Sequence, residues 1–222
     1  MTMRVRGLYA ILDLPHPHGL DARALVEAFA LGGAALVQLR AKHHDHTQRL
    51  ASLSAIADVC CDHDLPLIVD DDLGAAEAGI PGVRGVHLGQ GDLHELGPDP
   101  AGRILELRER GIAVGLSTHS LAQLDAALAL GPAYVGFGPV YATGTKLDAE
   151  PVVGLEQLAA ACARADVPVV AIGGISLARI PAVCEAGAAA IAMIGGLVAA
   201  TPEQTRERCH DVASRIAMTR AS

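Results

Sequence analysis

The sequence is poor in aromatic rings: its 222 residues include no tryptophan, two phenylalanines and three tyrosines. A chain of this length can bury a large single core. That core must be aliphatic, and with 51% hydrophobic residues the material for it is ample. Such a core suits a parallel sheet covered by helices, whose strands read as continuous Val/Ile/Leu runs. Positive charge is also scarce. A net charge of −8 argues against general nucleic-acid binding, which needs a basic footprint. It still permits an acidic substrate, because a few cations focused in a cleft dominate locally. Long apolar runs are missing as well. The opening "MTMRVRGLYAILDLPHPH" is interrupted by Asp13 and two prolines, so it reads as a first strand and not as a signal peptide. No stretch is apolar for long enough to span a bilayer, and the expectation is a soluble, cytoplasmic protein without membrane contact. The five cysteines, Cys60, Cys61, Cys162, Cys184 and Cys209, are odd in number and contain no C-x-x-C pair. They read as buried or incidental thiols.

Short β-rich runs alternate with helical spacing along the whole chain. Strands are expected at 7–13, 35–42, 66–71, 85–89, 113–118, 134–140, 168–174 and 190–196. Segments such as "DARALVEAFALGG" and "SLAQLDAALALG" lie between them and carry helical periodicity. Asp21, Ser120, Ser176 and Thr201 are candidate helix caps, and Gly32, Gly79, Gly131 and Gly187 candidate helix stops. The segment after the third strand leaves room only for a stubby helix. Eight alternations imply a parallel sheet, and at this length a closed (β/α)8 TIM barrel, one domain over residues 1–222. The alternative is a doubly wound open sheet. Its glycine-rich first turn is not matched by "DLPHPHG".

In such a barrel the chemistry gathers at the C-terminal ends of the strands. Strand two ends Gln38, Arg40, Lys42, and strand alternation turns all three into the mouth. Strand three ends Asp70, Asp71, Asp72, and "GQGD" after strand four brings Asp92 to the same rim. Strand five ends Ser117, Thr118, His119. Strand six leads into Thr143, Gly144, Thr145, Lys146. Strands seven and eight each end "IGG", at Gly173–Gly174 and Gly195–Gly196. The loops after strands seven and eight commonly hold phosphate in a barrel, and glycine lets an anion approach bare backbone N–H groups. The competing reading is that these glycines only make tight turns. Lysine occurs twice against fifteen arginines, and both Lys42 and Lys146 fall just past a strand end. A mobile point charge suits a departing phosphate better than a planar fork does. Asp71 and Asp92 on one rim fit the usual arrangement of magnesium with one or two carboxylates and substrate phosphates. An acidic run can equally be a helix start. "KHHDH" (42–46) reads as a solvated loop and not a metal cluster, for want of a common helical face. His87 reads as a structural histidine, whereas His119 lies nearer the mouth.

With these pieces assembled, the chain resembles the thiamine phosphate synthase family along nearly its whole length. The resemblance rests on "GLYAILD", "QLRAK", "IVDD", "GVHLGQGD", "GLSTHS", "GPVYATGTK", "AIGGI" and "AIAMIGG", in that order. It implies that hydroxymethylpyrimidine pyrophosphate loses pyrophosphate while the nitrogen of a thiazole phosphate takes its methylene carbon. It further implies that Gln38, Leu39, Arg40, Ala41 and Lys42 hold the pyrimidine and its pyrophosphate, together with Asp70. Asp71 and Asp92 become Mg2+ ligands, Ser117 touches the pyrimidine, and Lys146 follows the pyrophosphate, with Arg40 and Lys42 also catalytic. Thr143, Gly144 and Thr145, with Gly173, Gly174, Ile194 and Gly195, form the thiazole phosphate site. Two positions depart from the family. Asp70 stands where asparagine is frequent, adding a negative charge, and Gly195 stands where serine is usual. The rival readings are a thiazole tautomerase-like relative, a non-catalytic phosphate-binding barrel and a phosphosugar isomerase. The last would need a general acid–base pair.

Overall fold

In the computed structural model, which describes residues 3–16, 19–144 and 150–221, the strands are parallel and close into a barrel in sequence order. They are β1 Gly7–Asp13, β2 Ala34–Arg40, β3 Leu67–Asp70, β4 Val83–Leu88, β5 Ala113–Thr118, β6 Tyr134–Phe137, β7 Val169–Ile172 and β8 Ala190–Met193. The ring closes where Gly7 to Ala10 register with Ala190 to Met193. The strands are those expected from the sequence, but β2, β6, β7 and β8 stop two or three residues early. After β7 the reason is conformational: Gly173 and Gly174 have φ of 97° and 63°, a left-handed backbone that cannot continue a strand.

A helix follows each strand: α1 Ala22–Leu31, α2 His46–Asp62, α3 Leu73–Glu77, α4 Pro100–Glu109, α5 Leu121–Leu128, α6 Gly154–Arg164, α7 Ile180–Glu185 and α8 Pro202–Ala221. Asp21 and Ser120 accept hydrogen bonds from Ala24 and Gln123 amides, as N-caps should. Thr201 accepts from Gln204 at the start of α8. Ser176 makes no such bond and opens a short 3₁₀ segment instead. Asp45 and Gln48 complete a reciprocal capping box at the head of α2, and Asp72 caps α3 through the Ala75 amide at 2.8 Å. So Asp72 serves a helix start, and Asp70 and Asp71 of that acidic run are left to the mouth. Among the described residues no helix is long and apolar enough to cross a membrane.

The aliphatic core forms two layers. The larger lies between sheet and helices and includes Leu39, Leu53, Ile56, Leu67 and Val86. The smaller fills the barrel itself, around Tyr9, Leu36, Ile68, Tyr134 and Val170. Two tyrosines in so small an interior require space elsewhere. Gly115 on β5 supplies it: a Cβ there would lie 2.1 Å from Cζ of Tyr134. A ring carbon held inside the barrel cannot retreat as a flexible chain end would. Gly115→Ala is therefore expected to cost about 1–3 kcal/mol through overpacking, read as a lower urea midpoint with the slope unchanged. Wild-type stability in that variant would show that the barrel floor is looser than this packing.

Candidate functional site

Above the tyrosines the mouth divides into two compartments that share His119, Ile172, Ala192 and Ile194. One, of about 100 Å³, opens over β1 to β5 and collects Gln38, Arg40, Lys42, Asp70, Asp71 and Ser117. The other, of about 260 Å³, opens over β6 to β8 and collects Thr143, Gly173, Gly174, Ile194 and Gly195. Of the residues singled out in the sequence, most of those described thus lie in one mouth. Leu39 and Ala41 do not. Alternation sends them away from the barrel axis; both are buried, Leu39 in the layer beneath the helices. Only their main chain can face a ligand. Gly144 is exposed, with nothing within 4 Å of an added Cβ, but is not among the lining residues of either compartment. Thr145 and Lys146 lie outside the described residues.

The polar compartment is internally compensated. Arg40 donates to Asp13 at 2.6 Å and its Nε lies 3.7 Å from Asp70. Lys42 lies 3.9 Å from the same carboxylate and pairs closely with Asp71. The extra charge of Asp70 is therefore flanked by two cations within its own wall. Asp71 is one of the few non-glycine residues at positive φ, 51°, a conformation aspartate tolerates better than most. Its amide donates to the carbonyl of His87, and Oδ1 accepts from Gly89 N at 3.2 Å. Gln90 Nε2 donates to the Ser117 carbonyl at 2.6 Å, and Glu95 accepts from the Leu73 amide at 2.9 Å. These bonds clamp the 3₁₀ segment Gln90–Leu96 against β5 and α3, fixing Asp92 relative to Asp71.

The two carboxylates converge over Gly89. A Cβ at that position would sit 2.8 Å from Asp92 Oδ2 and 3.7 Å from Asp71 Oδ1. Glycine thus keeps open a small space flanked by two acidic oxygens, which suits a hard divalent cation completed by water and phosphate oxygens. Among the described residues no group of three or more His, Cys, Asp or Glu could hold a metal.

In the second compartment, Gly173 and Gly174 also have a structural duty. A Cβ on Gly174 would lie 2.4 Å from the Ala142 carbonyl oxygen, and one on Gly173 would lie 2.5 Å from Cβ of Pro139. Close packing of the β7 loop on the β6 loop demands glycine here with or without an anion. Arg179 braces the pair: it donates to Gly174 O at 2.6 Å and stacks 4.2 Å above the Tyr141 ring. His119 sits on the shared wall. Its Nδ1 lies 2.6 Å from the Gly138 carbonyl, which can only accept, so Nδ1 carries the hydrogen and Nε2 is the other polar atom of the ring. The histidine loop is largely structural. Nδ1 of His44 meets Ser52 at 3.2 Å and His46 donates to Asp72 at 3.0 Å, while His43 is exposed.

A polar chain crosses the compartment floor. Gln38 Nε2 donates to the Tyr9 hydroxyl at 3.1 Å, and Tyr9 and Tyr134 hydroxyls are 2.9 Å apart. Tyr134 meets Nδ1 of His87 at 3.1 Å, and Nε2 of His87 meets Ser117 Oγ at 2.8 Å. Burial first, then Tyr134, push the Tyr9 hydroxyl well above its ordinary value; burial raises Tyr134 too. Both remain neutral hydrogen-bonding groups at any working pH. The sequence reading of His87 as structural missed this connection to Ser117. The only available signal was period two along "GVHLG", which turns His87 inward.

Fold and site together define a (β/α)8 barrel whose mouth sets a charged compartment beside a glycine-lined one. The family described as thiamine monophosphate synthase matches residues 8–197, and the chain belongs to that family. A Laribacter hongkongensis protein named thiamine-phosphate synthase is 39% identical over 195 residues, covering 87% of this chain and 88% of its own length. A Synechococcus protein of the same name is 39% identical over 183 residues and 82% of this chain; the chain spans about half of its length, 49%. Among solved structures, a thiamine phosphate pyrophosphorylase from Pyrococcus furiosus is 25% identical with a TM-score of 0.78, each chain covered to 98%.

Asp72 gives a pH test of the frame beneath the mouth. Burial opposes its ionisation, but hydrogen bonds from the Ala75 amide, His46 and Arg49 hold its carboxyl below the ordinary value. A carboxyl lowered in the folded state adds stability above its unfolded pKa and loses it as pH falls through the folded one. Asp72→Asn should therefore be less stable than wild type near neutrality and lose less stability on acidification. Denaturant unfolding at several pH values checks this; parallel acid limbs for the two proteins would refute it.

Proposed function

We propose that the chain is a thiamine phosphate synthase, a transferase that joins hydroxymethylpyrimidine pyrophosphate to thiazole phosphate. The carrying observation is the pair of adjoining compartments with a shared wall. One holds cations with the Asp70 and Asp71 carboxylates, Asp92 lying beside it over Gly89, for a pyrophosphate, and the other has glycine-lined backbone for a second phosphate. Family membership supports the reading. In the reaction the methylene carbon–oxygen bond breaks, its electron pair leaving with pyrophosphate. The thiazole nitrogen lone pair forms the new carbon–nitrogen bond. No proton need be removed from a carbon, which accords with a site built for charge and position and not around a strong base.

Gln38 and Ser117 would hold the pyrimidine while Arg40 and Lys42 neutralise its pyrophosphate. Lys146, from the sequence reading, would follow the departing group. Thr143, Gly173, Gly174, Ile194 and Gly195 would seat the thiazole phosphate, largely through backbone amides. Asp71 and Asp92 would hold Mg2+, which when bound supplies positive charge to the leaving pyrophosphate. The working protein is taken to be cytoplasmic. A non-catalytic phosphate-binding barrel is the less favoured reading, because it gives the acids over Gly89 no task.

The direct experiment is to supply purified protein with both substrates and magnesium and to measure thiamine phosphate. Absence of product with folded protein would overturn the assignment. For the metal, Asp71→Asn and Asp92→Asn should each lower kcat, by about 100-fold if they act on one ion, with the double variant little worse than either single one. Multiplicative losses, or full activity in a chelator, would reject a shared metal. At Gly195, replacement by serine should tighten thiazole phosphate binding by roughly 1 kcal/mol, the contribution of one hydrogen bond to a charged group. Titration calorimetry measures this, and unchanged or weaker affinity would count against an amide-only phosphate seat.

A further inference from the structure

The chain from Gln38 to Ser117 has a direction, and the direction can be deduced atom by atom. Gln38 presents its nitrogen to Tyr9, so the Tyr9 oxygen accepts there. Tyr9 must then aim its one hydrogen at its other partner, the Tyr134 oxygen. Having accepted from Tyr9, Tyr134 gives its own hydrogen to Nδ1 of His87. A neutral imidazole that accepts at Nδ1 carries its hydrogen on Nε2, and Nε2 faces Ser117 Oγ at 2.8 Å. Ser117 is thus an acceptor toward the protein, which leaves its own hydrogen for the compartment it lines. Were Gln38 turned to present its oxygen, every bond would reverse and the Ser117 hydrogen would be spent on His87.

We infer that Tyr9, Tyr134 and His87 are positioning residues that hold His87 as the Nε2–H tautomer, so that Ser117 meets its ligand as a hydrogen-bond donor. The ligand group this selects is a lone-pair acceptor, such as an unprotonated ring nitrogen of an aminopyrimidine. A ring carrying N–H at that point is opposed. The device is enclosed at its inner end and reaches the mouth at His87 and Ser117. Tyr9 and Tyr134 are buried, Gln38 is 4% exposed, and His87 stacks on the Tyr134 ring at a centroid distance of 5.5 Å. Glycines make the room: a Cβ on Gly136 would lie 3.2 Å from Cε1 of His87, just as Gly115 admits Tyr134. Burial of Tyr9, Tyr134 and Gln38 keeps water from supplying a competing donor or acceptor at the inner links, so the polarity set at Gln38 is passed on to His87.

Two measurements test this, and only the second rests on the proposed synthase activity. Long-range ¹H–¹⁵N correlation spectra of the free protein should show His87 protonated at Nε2 and bare at Nδ1, with Tyr134→Phe giving a mixture of tautomers. A wild-type ring protonated at Nδ1 would overturn the inference. In kinetics with the pyrimidine pyrophosphate, Ser117→Ala and Tyr134→Phe should each lower kcat/KM by about 10-fold or more. The double variant should stay within about threefold of Ser117→Ala, because the two changes remove one and the same interaction. Losses that multiply would mean that Tyr134 only supports the barrel, and would overturn the inference. Tyr9→Phe provides a second variant. It leaves the Tyr134–His87 bond but no longer imposes its direction, so a smaller loss, again absent when Ser117 is alanine, is expected. A loss that persists in the Ser117→Ala background would count against the chain. Failure to form any thiamine phosphate, with His87 still in the Nε2–H form, would strike the proposed function and leave the tautomer assignment standing.

Discussion

One hydrogen bond across the barrel axis, from Tyr9 on β1 to Tyr134 on β6, organises much of what surrounds it. With no tryptophan and few other rings, these two side chains are the bulk that fills the barrel beneath the mouth. Their hydroxyls could not be buried there singly, because a hydroxyl without a partner in an apolar interior costs several times what a satisfied one contributes. Each satisfies the other, and the remaining capacity is passed to Gln38 and His87. The floor of the site is consequently polar along one line and aliphatic elsewhere, and the line ends at residues that line the mouth.

The mouth above this floor is divided by charge. Over β1 to β5 acids and bases interleave, so that Asp70 is flanked by Arg40 and Lys42. Over β6 to β8 the lining combines glycine backbone at Gly173, Gly174, Gly195 and Gly196 with apolar side chains such as Pro139, Ile172 and Met193. A two-substrate reaction that expels pyrophosphate needs this asymmetry, with strong counter-charge for the leaving group beside an uncluttered seat for the partner.

The eight strands were legible because an aliphatic core leaves strands and helices with distinct periods, and period two placed Gln38, Arg40 and Lys42 in the mouth. The same period placed Leu39 and Ala41 outside it, so the burial of those side chains follows from the pattern, although the family resemblance counts them with the site. Other features could not be read along the chain. Of three consecutive aspartates, Asp72 proves to be a helix cap because Ala75, His46 and Arg49 meet it, and nothing in "DDD" distinguishes it from Asp71. The partnership of Arg40 with Asp13 and Asp70 depends on which strands the closed sheet makes neighbours. So does the path from Gln38 to Ser117, whose links lie 29 to 125 residues apart in sequence.

The pairing of Lys42 with Asp71 gives the site a built-in counterion. Before any substrate arrives, the lysine charge and the carboxylate charge already cancel, and the pair is anchored by the Gly89 amide. On the proposed reading, entry of a pyrophosphate and its cation would be a double exchange, the anion pairing with the lysine and the metal with the carboxylate. Neither partner entering alone balances the account, since each would leave one charge stranded in the mouth. The pairing thus makes the ligand-free site less attractive to stray anions than its cations alone would suggest.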